Sequence, residues 1–123
     1  MSGEPRTLAG TMVYVCHADG PKLDGERAAT DIIGDSYACH PAVVAIPVER
    51  LSADFLTLSN RVAGNVIQKF VNYGVAVAFL GDVSEAVAAS NALRDFVRES
   101  NRGRHVWFVA DLAELETKLS PKA

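Results

Sequence analysis

The chain has 123 residues and a mass of 13.1 kDa, which fits one domain with a single core. Its formal net charge of -3 and pI near 5.5 argue against a nucleic-acid-binding protein, because such a protein needs a basic face to displace counterions. No apolar run approaches the roughly 20 residues that cross a bilayer, and the N-terminus lacks the apolar core of a signal peptide. We therefore expect a cytoplasmic protein with no membrane partner.

The N-terminal part of the chain predicts one strand between polar segments. Residues 1–10 are small and polar, which is typical of a flexible lead-in, and residues 120–123 have the same character at the other terminus. Thr11–Cys16 is β-branched and aromatic and predicts a strand. Residues 22–24 are a candidate for a further short strand that pairs back as a hairpin.

The middle of the chain predicts two helices around a buried strand. Residues 26–38 carry apolar side chains at helical spacing, with Asp24 available as the N-cap. The continuous apolar run at residues 42–48 predicts a central strand that is buried on both faces. Residues 54–73 keep the helical spacing throughout and predict one long helix, which Gly74 ends with a left-handed cap.

The C-terminal half continues the alternation of strands and helices. Residues 75–80 and 105–109 predict strands, a helix lies within residues 85–102, and Asp111 caps a terminal helix. Apolar strands that alternate with long helices predict a mostly parallel sheet with right-handed crossovers. We expect a single α/β domain over residues 1–123 with a four-stranded, mostly parallel sheet, and residues 22–24 are the candidate for an extra short strand.

One face of the long predicted helix is polar but carries little charge. Spacings of four, three and four residues place its side chains in one row. A solvated face usually carries Lys and Glu, and amides buried without partners would be costly. The row therefore predicts pairing with a neighbouring loop, exposure to water, or contact with a partner. Its members are Arg61, Asn65, Gln68 and Asn72.

Asp82 follows the strand at residues 75–80, at the edge where open α/β sheets bind ligands. It could act as a base, a ligand contact or a phosphate acceptor. The commoner role of Asp between a strand and a helix is an Asx-turn or helix cap. We favour the cap.

Arginines recur near the end of the helix predicted within residues 85–102, where they complement the helix dipole. Acidic residues interleave with them, which predicts a solvated, ion-paired face. The alternative is contact with an anion or an acidic partner, to which Asn101 would add an amide. The basic residues are Arg94, Arg98, Arg102 and Arg104.

Two Cys-His dipeptides, Cys16-His17 and Cys39-His40, invite a zinc interpretation. Structural zinc sites separate paired ligands by two to four residues, so we expect free thiols, no metal and no cofactor. The sequence contains no nucleophile elbow, P-loop or dinucleotide fingerprint. It names no catalytic residue and favours a binding protein over an enzyme.

Two segments resemble the bacterial domain-of-unknown-function family forty-one eighty. The matching phrases are QKFVNY and GD within residues 63–84, and LRDF, ESNRG and VWFV within residues 90–109. The phrases IP and ERL within residues 46–51 also fit. The resemblance implies no activity. Where the family has an acidic residue after Ala-Gly, this chain has Asn65, so we assign no charge-based role to that position.

The predicted order of elements resembles the STAS-like domains, small modules typified by anti-sigma-factor antagonists. Such modules work as binding switches that are phosphorylated on a serine at the start of the helix after the second core strand. Ser52 occupies the comparable place, but the phosphorylation motif of those domains is absent. We therefore expect Ser52 to be a helix N-cap.

Two hypotheses of function follow. The first is a non-catalytic STAS-like regulatory module that acts by binding a protein partner or by self-association, through the long helix and nearby loops. The second is a small-molecule-binding protein or small enzyme, with Asp82, Gln68, Asn72 and Arg94 in a polar pocket at the carboxyl ends of the strands. The candidate binding residues of the two hypotheses are Arg61, Asn65, Gln68, Asn72, Asp82, Arg94, Asn101 and Arg102.

Overall fold

The structure is a computed structural model that describes residues 3–57 and 61–120. Within these residues the strands form one mixed sheet, and their order across the sheet is their order along the chain. The first two strands are antiparallel, and every later pair of neighbours is parallel. The strands are β1 (Gly3–Leu8), β2 (Thr11–Cys16), β3 (Val43–Pro47), β4 (Ala76–Leu80) and β5 (Val106–Val109).

Helices connect the parallel strands, and a final helix follows the last strand. Short 3-10 turns lie directly after the first helix, at Tyr37–Cys39, and after β3, at Val48–Arg50. The helices are α1 (Glu26–Ser36), α2 (Ala53–Leu56), α3 (Val62–Asn72), α4 (Ser84–Ala89), α5 (Asn91–Arg102) and α6 (Leu112–Leu119).

The sequential strand order places the crossover helices on a single face of the sheet, because right-handed connections that always step in the same direction stay on the same side. The core on this face joins Tyr14 and Phe79 of the sheet to Ile32 of α1 and Phe70 of α3. Helix α6 covers the opposite face through Leu115 and contacts both β1 and β5. The sheet is therefore covered on both sides.

The strand β1 lies where the sequence predicts a flexible lead-in. Gly3 pairs with Cys16 and Leu8 with Thr11, and the turn at Ala9-Gly10 has positive φ at both residues. Residues 4–7 are exposed, so this edge strand has no apolar pattern that would reveal it. The sheet is consequently five-stranded and mixed, and the four-stranded description is not confirmed.

Residues 22–24 do not form the expected hairpin strand. Leu23 makes an isolated parallel bridge to Leu51 instead. At the C-terminus, the backbone N–H of Ser120 donates to Glu116 at 2.9 Å, and residues 121–123 lie outside the described part of the chain.

The predicted long helix over residues 54–73 is two helices in the structure. Helix α2 ends at Leu56 and α3 begins at Val62, and residues 58–60 lie outside the described range. Arg61 has φ 66°, a left-handed conformation that an α-helix does not accept. Gly74, with φ 74°, follows α3 as predicted.

The serine and aspartate caps form largely as the sequence predicts. Ser52 Oγ accepts from the N–H of Phe55 at 3.0 Å, and Asp111 Oδ1 accepts from Glu114 at 2.9 Å. Asp24 does not cap α1, because the N-cap position is Gly25 and no side chain bonds there. No helix among the described residues has the length and apolar character needed to cross a membrane.

Candidate functional site

The predicted amide row forms in part. Asn65, Gln68 and Asn72 are exposed on α3, whereas Arg61 precedes the helix with left-handed backbone. The side-chain Nε2 of Gln68 donates to Oδ1 of Asn72 at 2.8 Å. These two amides thus pair along their own helix rather than with a loop, and the row faces solvent.

A surface that the sequence analysis missed lies where α1 and α3 end, at the amino edge of the parallel strands. Tyr37 and Tyr73 are 67% and 57% exposed. Both line a cavity of about 170 Å³, together with His40, whose ring centroid lies 5.5 Å from that of Tyr37. We call Tyr37, His40, Asn72 and Tyr73 the tyrosine patch.

The sequence places Tyr37 in the apolar spacing of α1, which predicts a core residue. The structure exposes it because α1 gives way to a 3-10 turn at Tyr37–Cys39. The available signal was the position of each tyrosine, since Tyr37 stands shortly before His40-Pro41 and Tyr73 directly before Gly74. A side chain at a chain reversal is at the end of a helix rather than along its buried face.

Asp82 lies at the carboxyl edge of the parallel strands and forms an Asx-turn before α4, whose N-cap position is Val83. Its Oδ1 accepts from the backbone N–H of Ser84 at 2.8 Å. Hydrogen bonds from the side chain and backbone of Ser84 hold the pKa of Asp82 below its ordinary 3.8. The favoured Asx-turn interpretation is therefore what the structure shows.

The structure does not gather the second predicted site into one pocket. Asn72 ends α3 next to the start of β4, and Asp82 follows the end of that strand. Five strand residues span about 13 Å at roughly 3.3 Å per step, so these two side chains lie at opposite edges of the sheet. Gln68 pairs with Asn72, and Arg94 Nε lies 3.5 Å from the carboxylate of its neighbour Asp95.

The basic strip on α5 follows the ion-paired interpretation. In addition to the Arg94–Asp95 pair, Arg102 Nη1 lies 3.8 Å from Oε1 of Glu99, and both side chains are largely exposed. Exposed pairs of this kind contribute about 0–1 kcal/mol. The strip is thus a solvated helix face.

Asn101 has a structural contact rather than an open amide. Its Oδ1 accepts from the backbone N–H of Phe108 at 2.7 Å, and its own carbonyl accepts from Lys118 Nζ at 3.1 Å. Phe108 belongs to β5, the edge strand of the sheet. The Asn101 side chain therefore accepts a hydrogen bond from a backbone N–H on the side of β5 that has no neighbouring strand.

The cysteines are free and lie at opposite edges of the sheet. Burial raises the pKa of Cys16 from 9.0 to about 12; nearby Arg50 opposes this rise and Asp35 adds to it. The thiol of Cys16 stays protonated at neutral pH and is a poor nucleophile. Cys39 donates its S–H to the carbonyl of Ser36 at 3.3 Å. The described residues contain no cluster of three or more His, Cys, Asp or Glu suited to a metal ion.

Arg50 lies at the carboxyl edge of the parallel strands, and no motif or spacing in the sequence indicated a role for it. It is 3% exposed, and its Nε and Nη1 donate to the carbonyls of Pro21 at 2.6 Å and His17 at 2.9 Å. Gly20 leaves room for the guanidinium, since a Cβ there would lie 2.5 Å from Cζ of Arg50. Arg50 thereby ties the loop after β2 to the turn after β3. The only sequence signal was its place in the phrase ERL.

Comparison with known proteins identifies a family. A family model described as a domain of unknown function, DUF4180, matches residues 8–119. No curated protein and no solved structure gives a significant match. The matched range includes Arg50, Asp82, Asn101 and the tyrosine patch. The chain therefore belongs to the DUF4180 family.

Proposed function

We propose that the protein is a non-catalytic, STAS-like interaction module whose tyrosine patch binds a second copy of the chain. The observation that carries this proposal is the exposure of Tyr37 and Tyr73. Among the described residues they are the large hydrophobic side chains that stand out in solvent, and they flank one cavity. Two partly apolar rings on one surface are more readily explained by a partner than by folding.

The chemistry of the patch suits a protein interface. Tyrosine is enriched among the residues that dominate binding energy, because it combines a rigid apolar ring with a hydroxyl. The cavity between the rings is lined partly by Ile33, Pro41 and Val75, which offer apolar walls to an inserted side chain. Asn72 next to Tyr73 adds a polar rim of the type that surrounds interface cores.

A second copy is the partner that this surface fits best. A two-fold contact places the same patch on both subunits, so each group must complement its own kind. Tyrosine hydroxyls and amides both donate and accept hydrogen bonds, and therefore meet this condition. The amide row of α3 next to the patch carries no charge at Asn65, Gln68 or Asn72, which avoids repulsion between copies.

The remaining candidate groups support a module without catalysis. The raised pKa of Cys16 disfavours a thiolate nucleophile, and the carboxylate of Asp82 is engaged with Ser84. The alternation of helices and parallel strands after a β1–β2 hairpin supports the STAS-like description. Ser52 supports a module without a phosphorylation switch at this position, because its hydroxyl caps α2.

The test is the oligomeric state of the full chain by sedimentation equilibrium and native mass spectrometry over a range of concentrations. We expect a reversible dimer that the double variant Tyr37→Ala/Tyr73→Ala weakens at least about tenfold, or about 1.4 kcal/mol. Arg98→Ala, which removes an exposed side chain from α5, is the control and should leave the dimer unchanged.

Two outcomes would contradict the proposal. A wild-type chain that stays monomeric at every concentration rules out self-association. A dimer that is equally stable in the double variant places the interface away from the tyrosine patch. At a concentration at which both proteins are monomeric, thermal unfolding of the double variant should match that of the wild type, because both rings are largely in solvent in the single chain.

A further inference from the structure

A second cavity lies at a different part of the molecule, between α1 and the loop that follows β2. Its volume is about 520 Å³, a size that accommodates a small ligand. One wall carries Arg50 and Pro21, and α1 supplies the other. The residues that α1 contributes are Ala28, Thr30, Asp31, Ile32, Gly34 and Asp35.

The guanidinium of Arg50 is buried, and no described carboxylate contacts it. Its Nε and Nη1 donate to neutral carbonyls, and within residues 3–57 and 61–120 no carboxylate forms an ion pair with it. The same residues contain no buried side-chain nitrogen that lacks a partner. Arg50 lines the cavity, so a ligand that occupies the cavity would contact its side chain.

A buried guanidinium without an ion-pair partner is stabilised when an anionic group binds next to it. Taking a charge out of water costs several kcal/mol, and a carboxylate in contact offsets that cost. Arginine presents parallel N–H groups that match the two oxygens of a carboxylate. Arg50 is thus suited to receive the carboxylate of a ligand in this cavity.

The opposite wall carries the opposite charge. Asp31 and Asp35 are exposed and lie four residues apart, on one face of α1. Neither forms an ion pair with another described residue. Asp35 and Arg50 both act electrostatically on Cys16, so the two walls of the cavity lie near the same thiol. The lining of the cavity therefore includes one cation and two carboxylates.

We propose that this cavity binds a free α-amino acid as a zwitterion. The ligand carboxylate contacts the guanidinium of Arg50, and its ammonium group lies against Asp31 and Asp35. An aliphatic side chain of the ligand has Pro21, Ala28 and Ile32 to pack against. A simple anion would be repelled by the two carboxylates, and a simple cation by Arg50, so a ligand with both charges fits best.

This inference does not rest on the tyrosine patch, since the two cavities share no lining residue. The probes are the twenty L-amino acids, each titrated into the full chain by calorimetry. We expect saturable binding of at least one. Its amide, in which the carboxylate is neutralised, and its N-acetyl derivative, in which the ammonium is removed, should both bind at least about tenfold more weakly, since each loses an ionic contact.

Variants locate the site. Asp31→Asn/Asp35→Asn changes exposed side chains without altering their volume and should weaken binding at least about tenfold. Glu26→Gln, also on α1 but outside the cavity lining, is the matched control and should bind as the wild type does. The inference is overturned if no amino acid binds, if the blocked derivatives bind equally well, or if the double aspartate variant retains full affinity.

Discussion

At the scale of single residues, burial shifts the pKa of one thiol far from its ordinary value. Cys16 is 2% exposed, and Arg50 acts on its pKa in the direction opposite to burial. Burial has the larger effect, so the folded protein holds the thiol in its neutral form. Arg50 is buried as well, and the backbone carbonyls of Pro21 and His17 accept hydrogen bonds from its guanidinium.

The pKa of Cys16 has a consequence for stability at alkaline pH. The thiol loses its proton near pH 9.0 in the unfolded chain and near pH 12 in the folded one. Between these values the unfolded state binds fewer protons, so the free energy of unfolding falls as pH rises, by up to about 1.4 kcal/mol per pH unit. Urea denaturation from about pH 8 to pH 11 should show this slope in the wild type and a shallower slope in Cys16→Ala.

Cys39→Ala is the control for this experiment. Cys39 is only half-buried, and its replacement should leave the slope as in the wild type. Equal slopes for the wild type and Cys16→Ala would show that burial does not hold the Cys16 proton. A lower absolute stability of Cys16→Ala is expected from the lost packing and does not affect the comparison of slopes.

Single residues were predictable from the sequence where their role is local. Ser52, Asp82 and Asp111 each bond a backbone N–H two or three positions ahead, and a short sequence window contains both partners. Arg50 bonds carbonyls about thirty positions earlier, which no window shows. The exposure of Tyr37 likewise depends on where α1 ends in space.

At the scale of helices and strands, one side chain satisfies an outward-facing backbone donor of β5. An edge strand has backbone donors on its outer side, and a donor withdrawn from water without a partner is costly. Asn101, on α5, supplies the acceptor for Phe108. This contact fixes the end of α5 against the strand that follows it.

We expect Asn101→Ala to destabilise the protein by about 1–3 kcal/mol, because the Phe108 N–H loses its acceptor. Asn101→Asp keeps an oxygen at the same place and should cost less. Urea denaturation measures the difference in unfolding free energy, and hydrogen exchange should show faster exchange at Phe108 in the alanine variant. Unchanged exchange at Phe108 would mean that the bond contributes nothing in solution.

The extent of the helices was less predictable than their presence. The apolar spacing over residues 54–73 continues across the position where the chain leaves the helix, so periodicity alone gave one helix. The left-handed backbone of Arg61 has no sequence signal of the kind that Gly74 provides. The four strands predicted from apolar runs all form, because continuous apolar composition is itself the signal of a buried strand.

At the scale of the whole molecule, β1 adds an edge strand to the sheet, and the sequence did not predict this strand. It pairs along its full length with β2, and Leu8 packs in the cluster beneath α6. Its outward side chains are polar, and Arg6 lies 3.5 Å from Glu4 in an exposed pair. A polar, charged edge of this kind discourages pairing with other sheets.

Deleting Gly3–Leu8 should lower the urea midpoint and cause association, because β2 would then present an uncovered edge rich in β-branched and aromatic residues. Size-exclusion chromatography and urea denaturation measure the two effects. Arg6→Ala, which loses only an exposed ion pair worth about 0–1 kcal/mol, is the control. A deletion variant with the wild-type midpoint would show that β1 is dispensable.

The strand order has a consequence for how the chain acquires its structure. Each strand pairs with the one synthesised immediately before it, so the sheet can grow outward from the β1–β2 hairpin as the polypeptide leaves the ribosome, without waiting for a distant segment. The exception is α6, which follows β5 along the chain and contacts both β1 and β5. The second core therefore closes only after β5 and α6 have both been synthesised, and the sheet becomes a cooperative unit when α6 docks on it.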